Sequence, residues 1–301
     1  MTSLMTIRNV LVAGASGHLG PAVLQELISN NKFTLFVLTR KDSSATFPDS
    51  VNVLKTDYTP TSLEAILTAE KIDAVISTLS VTTQPIADVQ AALIDAAKAS
   101  GVKRFIPSEF GSDSTDDRIV DLVPLFNHKR KAVDHLKSLQ NDTFSWSSPV
   151  TGIFFDWGIH VNLLAINVQQ KTLEKWDDGE APFAVSNLAT IGKALANLLS
   201  DSAILEATAN KYVYISSHTI TLNKMTAAIQ KVTGETWKIK HVDSGEVLRN
   251  DKRSPIDGIK LVTFGKEGLG AYREGLSNNE LLRLPKEDLE ENLKIILDVK
   301  K

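Results

Sequence analysis

Hydrophobic and polar positions in the first half of the chain follow two alternating spacings. Short apolar runs, typical of buried strands, lie at residues 9–13, 34–38, 51–54, 74–79, 104–107, 144–147 and 150–153. Stretches with apolar residues every three or four positions, typical of amphipathic helices, lie at 21–28, 61–68, 86–100 and 124–140. Strands joined by helices in this way predict a doubly wound, parallel α/β sheet with right-handed crossovers.

The second half of the chain has a different pattern. It begins with an apolar segment rich in aromatic residues at 154–158. Further elements are predicted at 190–200, 212–216, 222–232 and 286–299, with Thr221 as a helix cap and Pro285 at the start of the last helix. We predict a first domain over 1–153 and a smaller α/β domain over 154–301, some segments of which return to the first sheet. The charged, glycine-containing stretch 243–274 is interpreted as a mobile lid.

The turn between the first predicted strand and helix carries three glycines. Gly14 permits a tight turn, Gly17 lets backbone N–H groups approach a pyrophosphate, and Gly20 lets the helix pack close to the strand. The helix N-terminus adds unpaired N–H donors and the positive end of its dipole. The pattern predicts a Rossmann dinucleotide site that contains Gly14, Ser16, Gly17, His18, Leu19 and Gly20.

The end of the second predicted strand distinguishes between the two nicotinamide cofactors. An NAD(H) site has an acidic residue there, which accepts hydrogen bonds from the ribose 2′-OH, whereas this chain has Arg40 and Lys41. A guanidinium can hold a 2′-phosphate through two charge-assisted hydrogen bonds. We therefore predict NADP(H). The alternative is that both residues are solvated loop charges, and the nearby Asp42 favours that alternative.

Other predicted strands end at the same edge of the sheet. Ligands of doubly wound sheets lie at the carboxyl ends of the strands. The cofactor site is therefore expected to include further residues at that edge, namely Thr78, Leu79, Ser80, Ser108 and Phe110.

Composition excludes several classes of function. The 301 residues include no cysteine, which excludes thiol nucleophiles, disulfides and thiolate metal sites. A net charge of −3, without clustered basic and aromatic residues, gives no basis for nucleic-acid binding. The chain has no apolar run of roughly eighteen residues, no metal-binding histidine spacing and no Gly-x-Ser-x-Gly elbow. We expect a cytoplasmic protein without a metal or a membrane partner, and leave its oligomeric state open.

Residues 90–111 are similar to one known family. This segment, with its run Val-Lys-Arg-Phe-Ile-Pro-Ser-Glu-Phe-Gly at 102–111, resembles the NmrA-like and isoflavone reductase-like atypical short-chain dehydrogenases. The resemblance extends to the glycine turn, the strand end at 38–40 and residues 126–131, and weakly to 154–158 and 216–236. It implies a Rossmann fold, NADP(H) and a reductase activity.

The same resemblance assigns a general acid/base. The family lacks the Tyr-x-x-x-Lys of other short-chain dehydrogenases, and so does this chain. In reductase members, a lysine near the start of the helix after the Ser-Glu-Phe-Gly loop has this role, and Lys129 matches it and would also adjoin the cofactor. Lys131 is the nearest rival, and a surface lysine on a basic helix is the alternative interpretation of Lys129.

The aromatic segment predicts the substrate site. Phe154, Phe155 and Trp157, with Phe110 and His160, are candidates to contact an aromatic small molecule. The alternative is that the aromatic rings only pack the core and that His160 is a satisfied core histidine. For Glu109 we favour a structural role, in which its side chain accepts hydrogen bonds from loop N–H groups.

Two functions are compatible with the sequence. The first is an NADPH-dependent reductase of a flat aromatic or polycyclic molecule, such as a benzylic ether, enone, ketone or quinone. The second is an NmrA-type regulator that senses NADP(H) and acts through a protein partner without turnover. The presence of Lys129 favours the enzyme, because the resemblance implies that regulators typically lack this lysine.

Overall fold

A computed structural model describes residues 6–299 of the chain. The first half contains β1 Asn9–Ala13, α1 Gly20–Asn30, β2 Thr34–Arg40, β3 Val51–Thr56, α2 Pro60–Ala69, β4 Ala74–Ser77, α3 Gln84–Ala99, β5 Arg104–Ile106, α4 Asp117–Leu122, α5 Asn127–Leu139 and β6 Ser145–Val150. The second half contains β7 Ile153–Phe154, α6 Phe155–His160, β8 Ile166–Asn167, β9 Thr172–Trp176, β10 Phe183–Ser186, α7 Leu188–Ser200, α8 Ser202–Ala207, β11 Lys211–Tyr214, β12 His218–Ile220, α9 Leu222–Thr233, β13 Lys238–Val242, α10 Ser244–Arg249, α11 Pro255–Phe264 and α12 Leu289–Ile296.

Seven parallel strands form the central sheet, in the order β11-β6-β5-β4-β1-β2-β3. The chain runs outward from β1 through β2 to β3, then returns to β4 on the other side of β1. A doubly wound sheet binds its ligand at such a switch point, outside the carboxyl ends of the strands. The predicted fold class is therefore confirmed, and the glycine turn lies at the switch point.

Side chains of β1 alternate between two buried faces. Val10 and Val12 pack among residues of α1 and α7, whereas Leu11 and Ala13 pack among residues of α2 and α3. A parallel strand that is covered on both faces needs apolar residues at successive positions, which is why β1 is a continuous apolar run.

The second half of the chain contributes both to a separate lobe and to the central sheet. A third core cluster lies around Phe155, Trp176, Phe183 and Phe264, within the lobe formed by the two three-stranded sheets. However, β11 is the edge strand of the central sheet, and α7 packs against α1. The domain boundary at residue 153 stays a prediction, with β11 and α7 as segments that return to the first sheet.

Two helices differ from the sequence prediction. The segment before residue 124, for which no element is predicted, contains α4, whose N-cap side chain Asp116 accepts a hydrogen bond from the Arg118 N–H. The terminal helix is shorter than predicted. It begins after Asp288, and not at Pro285, because the Asp288 side chain caps it by accepting a hydrogen bond from the Glu291 N–H at 2.9 Å. The cap at Thr221 is present, with an oxygen that accepts from the Lys224 N–H.

The stretch interpreted as a lid contains α10 and α11. A capping box at Ser254 and Asp257 starts α11, and Leu261 and Phe264 bury its inner face. Gly258 approaches the neighbouring helix so closely that a Cβ would stand 2.4 Å from the Leu122 carbonyl oxygen. Motion of this segment stays a prediction, and it would require α11 to separate from α4.

The contact between α1 and α7 gives a stability prediction. A Cβ at Gly192 would stand 2.6 Å from the Ala22 carbonyl oxygen, which is backbone and cannot rotate away. Glycine to alanine in a helix ordinarily stabilises by about 0.5–1 kcal/mol. We expect Gly192→Ala instead to lower the free energy of unfolding by about 1–3 kcal/mol, because it overpacks this contact.

Urea unfolding measures this difference. Lys193→Ala, at the exposed neighbouring position, is the control and should change stability by less than about 0.5 kcal/mol. A Gly192→Ala protein as stable as the wild type would contradict the close approach of the two helices.

Candidate active site

The glycine turn packs tightly against the end of β4. Gly14 has φ +82°, and a Cβ on it would stand 2.8 Å from the carbonyl carbon and oxygen of Thr78. A Cβ on Gly20 would stand 2.4 Å from the Ala15 carbonyl, so α1 begins in direct contact with the turn. Both glycines have the roles predicted for them. The Gly17 N–H, in contrast, donates to the Gly14 carbonyl at 2.9 Å and closes the turn itself.

A cleft of about 260 Å³, which we call the glycine-turn cleft, opens beside this turn. Its lining residues come from the turn, the ends of β2 and β4, and α3: Gly14, Ala15, Ser16, Leu38, Thr39, Arg40, Ser43, Tyr58, Leu79, Ser80, Ile86 and Val89. Five of the predicted cofactor residues are among them, namely Gly14, Ser16, Arg40, Leu79 and Ser80.

The other residues predicted near the cofactor have different surroundings. Leu19 is a core residue with 5% exposure, so its side chain faces away from the cleft. Thr78 and Ser108 use their hydroxyls to donate to the carbonyls of Ala13 and Leu79 at 3.0 and 2.6 Å. These two side chains therefore fasten the strand ends together.

The two basic residues after β2 are not equivalent. Arg40 lines the glycine-turn cleft and has only a long 3.7 Å contact to Asp42, with both side chains exposed. Lys41 instead forms an ion pair with Asp57 at 2.8 Å and does not line the cleft. The hydrogen bond from the Lys41 side chain is the main reason that the pKa of the Asp57 carboxyl is held well below its usual range. Arg40 is thus the residue with a guanidinium available to an anion at this edge.

Lys129 is buried in the first turn of α5. Its Nζ donates to the backbone carbonyls of Glu109 and Phe110, the latter at 3.2 Å, and lies 4.7 Å from the centroid of the Phe126 ring. Its exposure is 9%, so the alternative of a surface lysine is wrong, whereas the rival Lys131 is exposed. Burial lowers the pKa of the Lys129 ammonium, and the Glu109 carboxylate opposes that shift.

The loop after β5 is shaped around this amine. A Cβ at Gly111 would stand 2.8 Å from Lys129 Nζ, so the glycine leaves the space that the amine occupies. The Glu109 side chain is 1% exposed and faces Ser114 of the same loop. Burial raises the pKa of the Glu109 carboxyl, whereas the hydroxyl and the N–H of Ser114 lower it, so the bracing of loop N–H groups by this side chain stays a prediction.

Lys129 also lines a second pocket, which we call the apolar pocket and which has a volume of about 230 Å³. Its walls are mostly aliphatic and aromatic: Thr82, Phe110, Gly111, Ser112, Leu125, Phe126, Lys129, Gly152, Ile153, Phe154, Trp157, Leu163 and Ile259. A lysine amine among such walls is chemically able to transfer a proton with little competing water.

One aromatic contact links the glycine turn to the apolar pocket. The ring of His18, in the glycine turn, lies 4.8 Å from that of Trp157, which lines the apolar pocket and also contacts Phe154 at 6.3 Å. His18 is exposed and is not in the lining of the glycine-turn cleft. It therefore stands between the turn and the pocket.

Two of the residues predicted to bind substrate are elsewhere. Phe155 is fully buried in the core of the second lobe, with its ring edge-on to His218, and His160 is exposed at the end of α6. The reason is the junction of two elements: Phe154 ends β7 with an extended backbone, whereas Phe155 begins α6, so the two neighbouring rings point to different surroundings. Neither Phe155 nor His160 lines the apolar pocket, and their contact with a substrate stays a prediction.

Sequence reasoning missed several lining residues. Tyr58 follows β3 with φ +61° and donates to the Leu38 carbonyl at 3.2 Å, which places its ring in the glycine-turn cleft. Its position after a strand, at the carboxyl edge of the sheet, is a signal that could have found it. Ile259 reaches the apolar pocket from α11. The nearest other lining residue is about a hundred positions away in the sequence, so no local pattern indicates that Ile259 belongs to the pocket.

Residues 6–299 offer no candidate metal centre. No three histidine, aspartate or glutamate side chains in that range are grouped so that they could hold an ion. Over the same residues, no helix is long and apolar enough to cross a membrane.

The comparisons with known proteins agree with this geometry. The sequence model of the NmrA-like family matches residues 6–264. Oxidoreductase aprR of Aspergillus flavus is 34% identical over 303 residues, covering 97% of this chain and 99% of the relative. Isoflavone reductase homolog P3 of Arabidopsis thaliana is 27% identical, covering 82% of each chain.

Solved structures share the whole fold. The structure of AtPrR2 with NADP+ and (+)pinoresinol superposes with a TM-score of 0.78 at 21% identity, covering 97% of this chain and 99% of that one. The leucoanthocyanidin reductase–NADPH complex from Vitis vinifera gives 0.77 at 20% identity, covering 96% and 99%. At this identity the likeness concerns the fold.

The fold and site define the class as a Rossmann-type α/β protein with a buried lysine beside an apolar pocket. The chain belongs to the NmrA-like family and is an enzyme of its oxidoreductase group. The family resemblance seen in residues 90–111 is thereby confirmed.

The tryptophans provide a test of the pocket. Trp146, Trp176 and Trp237 are at most 4% exposed, whereas Trp157 is half-buried. We expect acrylamide to quench mainly Trp157, so that the quenchable fraction of tryptophan emission falls sharply in Trp157→Phe. Trp176→Phe is the matched control and should keep the quenchable fraction close to that of the wild type. Equal quenching in Trp157→Phe and the wild type would contradict the placement of this ring.

Proposed function

We propose that this protein is an NADPH-dependent reductase that transfers hydride to an aromatic or polycyclic small molecule, with Lys129 as general acid/base. The observation that carries the proposal is the position of Lys129. Its buried amine lines the apolar pocket, and the His18–Trp157 contact joins that pocket to the glycine turn.

The residues at the glycine-turn cleft fit a dinucleotide with a 2′-phosphate. Gly14 lets the turn close against Thr78, and the exposed Gly17 carries no side chain, so the backbone of the turn can approach a ligand closely. The first N–H groups of α1 lack intrahelical acceptors and suit a pyrophosphate. Arg40 supplies a guanidinium for the 2′-phosphate, which is the feature that favours NADP(H) over NAD(H). The similar structures solved with NADP+ or NADPH share this fold.

Lys129 is suited to give up and regain a proton. An ammonium has three N–H donors. Two of them are directed to the carbonyls of Glu109 and Phe110, which leaves the third for a molecule in the apolar pocket. After donation, the neutral amine still satisfies both carbonyls, and its lone pair takes the place of the lost proton. The amine therefore has a stable geometry in both protonation states.

The reaction divides between the cofactor and the chain. NADPH, when bound, supplies the hydride for an electron-poor carbon. Lys129 donates its proton to the atom that gains negative charge, and the apolar walls exclude water from that transfer. Phe110, Phe154 and Trp157 offer flat rings for an aromatic substrate to contact. The (+)pinoresinol of the similar AtPrR2 structure belongs to this chemical class.

Lys129→Met tests the general acid/base. We expect turnover of NADPH, over a panel of aromatic ethers, enones, ketones and quinones with product analysis, to fall by at least about 100-fold because the proton donor is lost. NADPH affinity should be retained. Lys131→Met, two residues along and exposed, is the matched control and should keep full activity.

Unchanged turnover in Lys129→Met would refute the assignment. Tight NADPH binding by the wild type with no turnover of any compound would instead favour a regulator that acts through a protein partner.

Arg40→Ala tests the cofactor preference. We expect the Kd for NADPH to rise about 10- to 100-fold, because at least one charge-assisted hydrogen bond to the 2′-phosphate is lost, while the Kd for NADH stays the same. Lys41→Ala should change the Kd values for NADPH and NADH little, since the Lys41 amine is already paired with Asp57. Equal losses for NADPH and NADH in Arg40→Ala would contradict a role in recognising the phosphate. Isothermal titration calorimetry measures both constants for each variant.

A further inference from the structure

We propose that Gln90 is a positioning residue of the active site: its buried amide oxygen holds the loop after β5 in the conformation that orients the Lys129 amine. This inference rests on the proposed role of Lys129 and extends it to a residue of α3 that lines neither the glycine-turn cleft nor the apolar pocket. The accessibility of the amine can be measured without a substrate, so the two proposals can fail independently.

The Gln90 side chain is a buried polar group with a defined orientation. It is 1% exposed, and its Oε1 accepts hydrogen bonds from the Ser77 hydroxyl at 2.7 Å and from the Ser108 N–H at 3.0 Å. A backbone N–H can only donate, so the atom that faces Ser108 has to be the amide oxygen. Glutamine side chains are mostly exposed, whereas this one uses its oxygen for two buried partners in different segments.

These hydrogen bonds connect the loop to the end of the neighbouring strand. Ser77 is the last residue of β4, and Ser108 follows the end of β5 by two positions. The Ser108 hydroxyl donates to the Leu79 carbonyl at 2.6 Å, which is a second connection from the same residue. Because β4 and β5 are paired in the central sheet and α3 packs on them, Gln90 bridges the ends of two adjacent strands.

The next two residues of the loop hold the amine. The carbonyls of Glu109 and Phe110 accept hydrogen bonds from Lys129 Nζ. The loop turns tightly at this point, since the Glu109 N–H donates to the Pro107 carbonyl at 2.9 Å. Both acceptors of the amine lie within two residues of the Ser108 N–H, so a displacement of that N–H moves them. The glutamine acts on the amine only through this loop.

Proton donation depends on where the amine points. A proton donor has to lie about 2.6–3.2 Å from its acceptor, and a misplacement of about 1 Å can lower a rate about 100-fold. Two of the three N–H donors of the ammonium bind the loop carbonyls, so the loop also sets the direction of the third. A shift of the loop would turn that third donor away from the apolar pocket. Gln90 therefore controls the geometry of the amine as well as the stability of the loop.

Gln90→Met tests this role. Methionine keeps the length of the side chain but has no amide oxygen, so the Ser108 N–H loses its acceptor. For a substrate reduced by the wild type, we expect kcat to fall at least about tenfold because the proton donor is displaced, while the Kd for NADPH changes less than about twofold. Gln90→Glu keeps an oxygen in the same place and should restore most of the activity. Gln84→Met, at the exposed start of the same helix, is the matched control and should have full activity.

Chemical labelling of the amine tests the geometry without a substrate. Reductive methylation of the full-length protein with formaldehyde and cyanoborohydride, followed by mass spectrometry, reports how accessible each lysine is. We expect Lys129 to react slowly in the wild type and at least about fivefold faster in Gln90→Met, because a hydrogen bond that holds the loop is lost. Gln90→Glu should react almost as slowly as the wild type. The exposed Lys131 is the internal reference in each protein.

The solvent deuterium isotope effect on kcat separates positioning from stability. It should be larger in Gln90→Met than in the wild type, because proton transfer from a displaced donor becomes slower relative to the other steps. A Gln90→Met protein that is only less stable, with the isotope effect, the kcat per folded chain and the Lys129 labelling of the wild type, would overturn the inference.

A second variant keeps the inference testable if Gln90→Met does not fold. Ser108→Ala removes only the hydroxyl connection to Leu79 and should raise the labelling of Lys129 by a smaller factor. Unchanged labelling in this variant would overturn the idea that the loop holds the amine. Faster labelling in Gln90→Met or Ser108→Ala, with a wild type that reduces no substrate, would overturn the proposed function while supporting the control of the amine by the loop.

Discussion

A lysine amine buried against backbone carbonyls is the constraint on which the candidate active site depends. The Lys129 ammonium gives up most of its hydration, and two carbonyls and the face of Phe126 replace it. A cation over an aromatic ring contributes about 0.5–2 kcal/mol, which is less than the cost of burying a charge. The remaining cost of burial favours the neutral amine, which is why the pKa of Lys129 is lowered.

The fold makes this arrangement possible through three adjoining elements. The short strand β5 ends at the carboxyl edge of the sheet, the following loop turns back on itself, and α5 begins where that loop leaves room. Gly111 provides the room, since any side chain there would meet the amine. A conventional long loop would be solvated, and a solvated lysine keeps its proton too firmly to donate it near neutral pH.

The sequence predicted those parts of the site that depend on local spacing. The glycine turn, its strand and its helix follow from a pattern within a dozen residues, and Lys129 follows from its register with a recognisable loop. Phe155 could not be placed correctly, because α6 begins directly after β7 and a difference of one residue decides which ring faces the pocket. The contact of Ile259 with the apolar pocket arises from packing between distant elements, which no spacing along the chain encodes.

The two cavities divide the chemistry by solvation. The glycine-turn cleft combines aliphatic walls with several hydroxyl groups and the exposed guanidinium of Arg40, which suit a phosphate-bearing ligand that stays partly hydrated. The apolar pocket has aromatic walls and a desolvated amine, which suit a hydride acceptor that must exclude water. His18 of the glycine turn touches Trp157, which lines the apolar pocket, so one ring comes from the turn and the other from the second lobe. This contact ties one wall of the apolar pocket to the glycine turn.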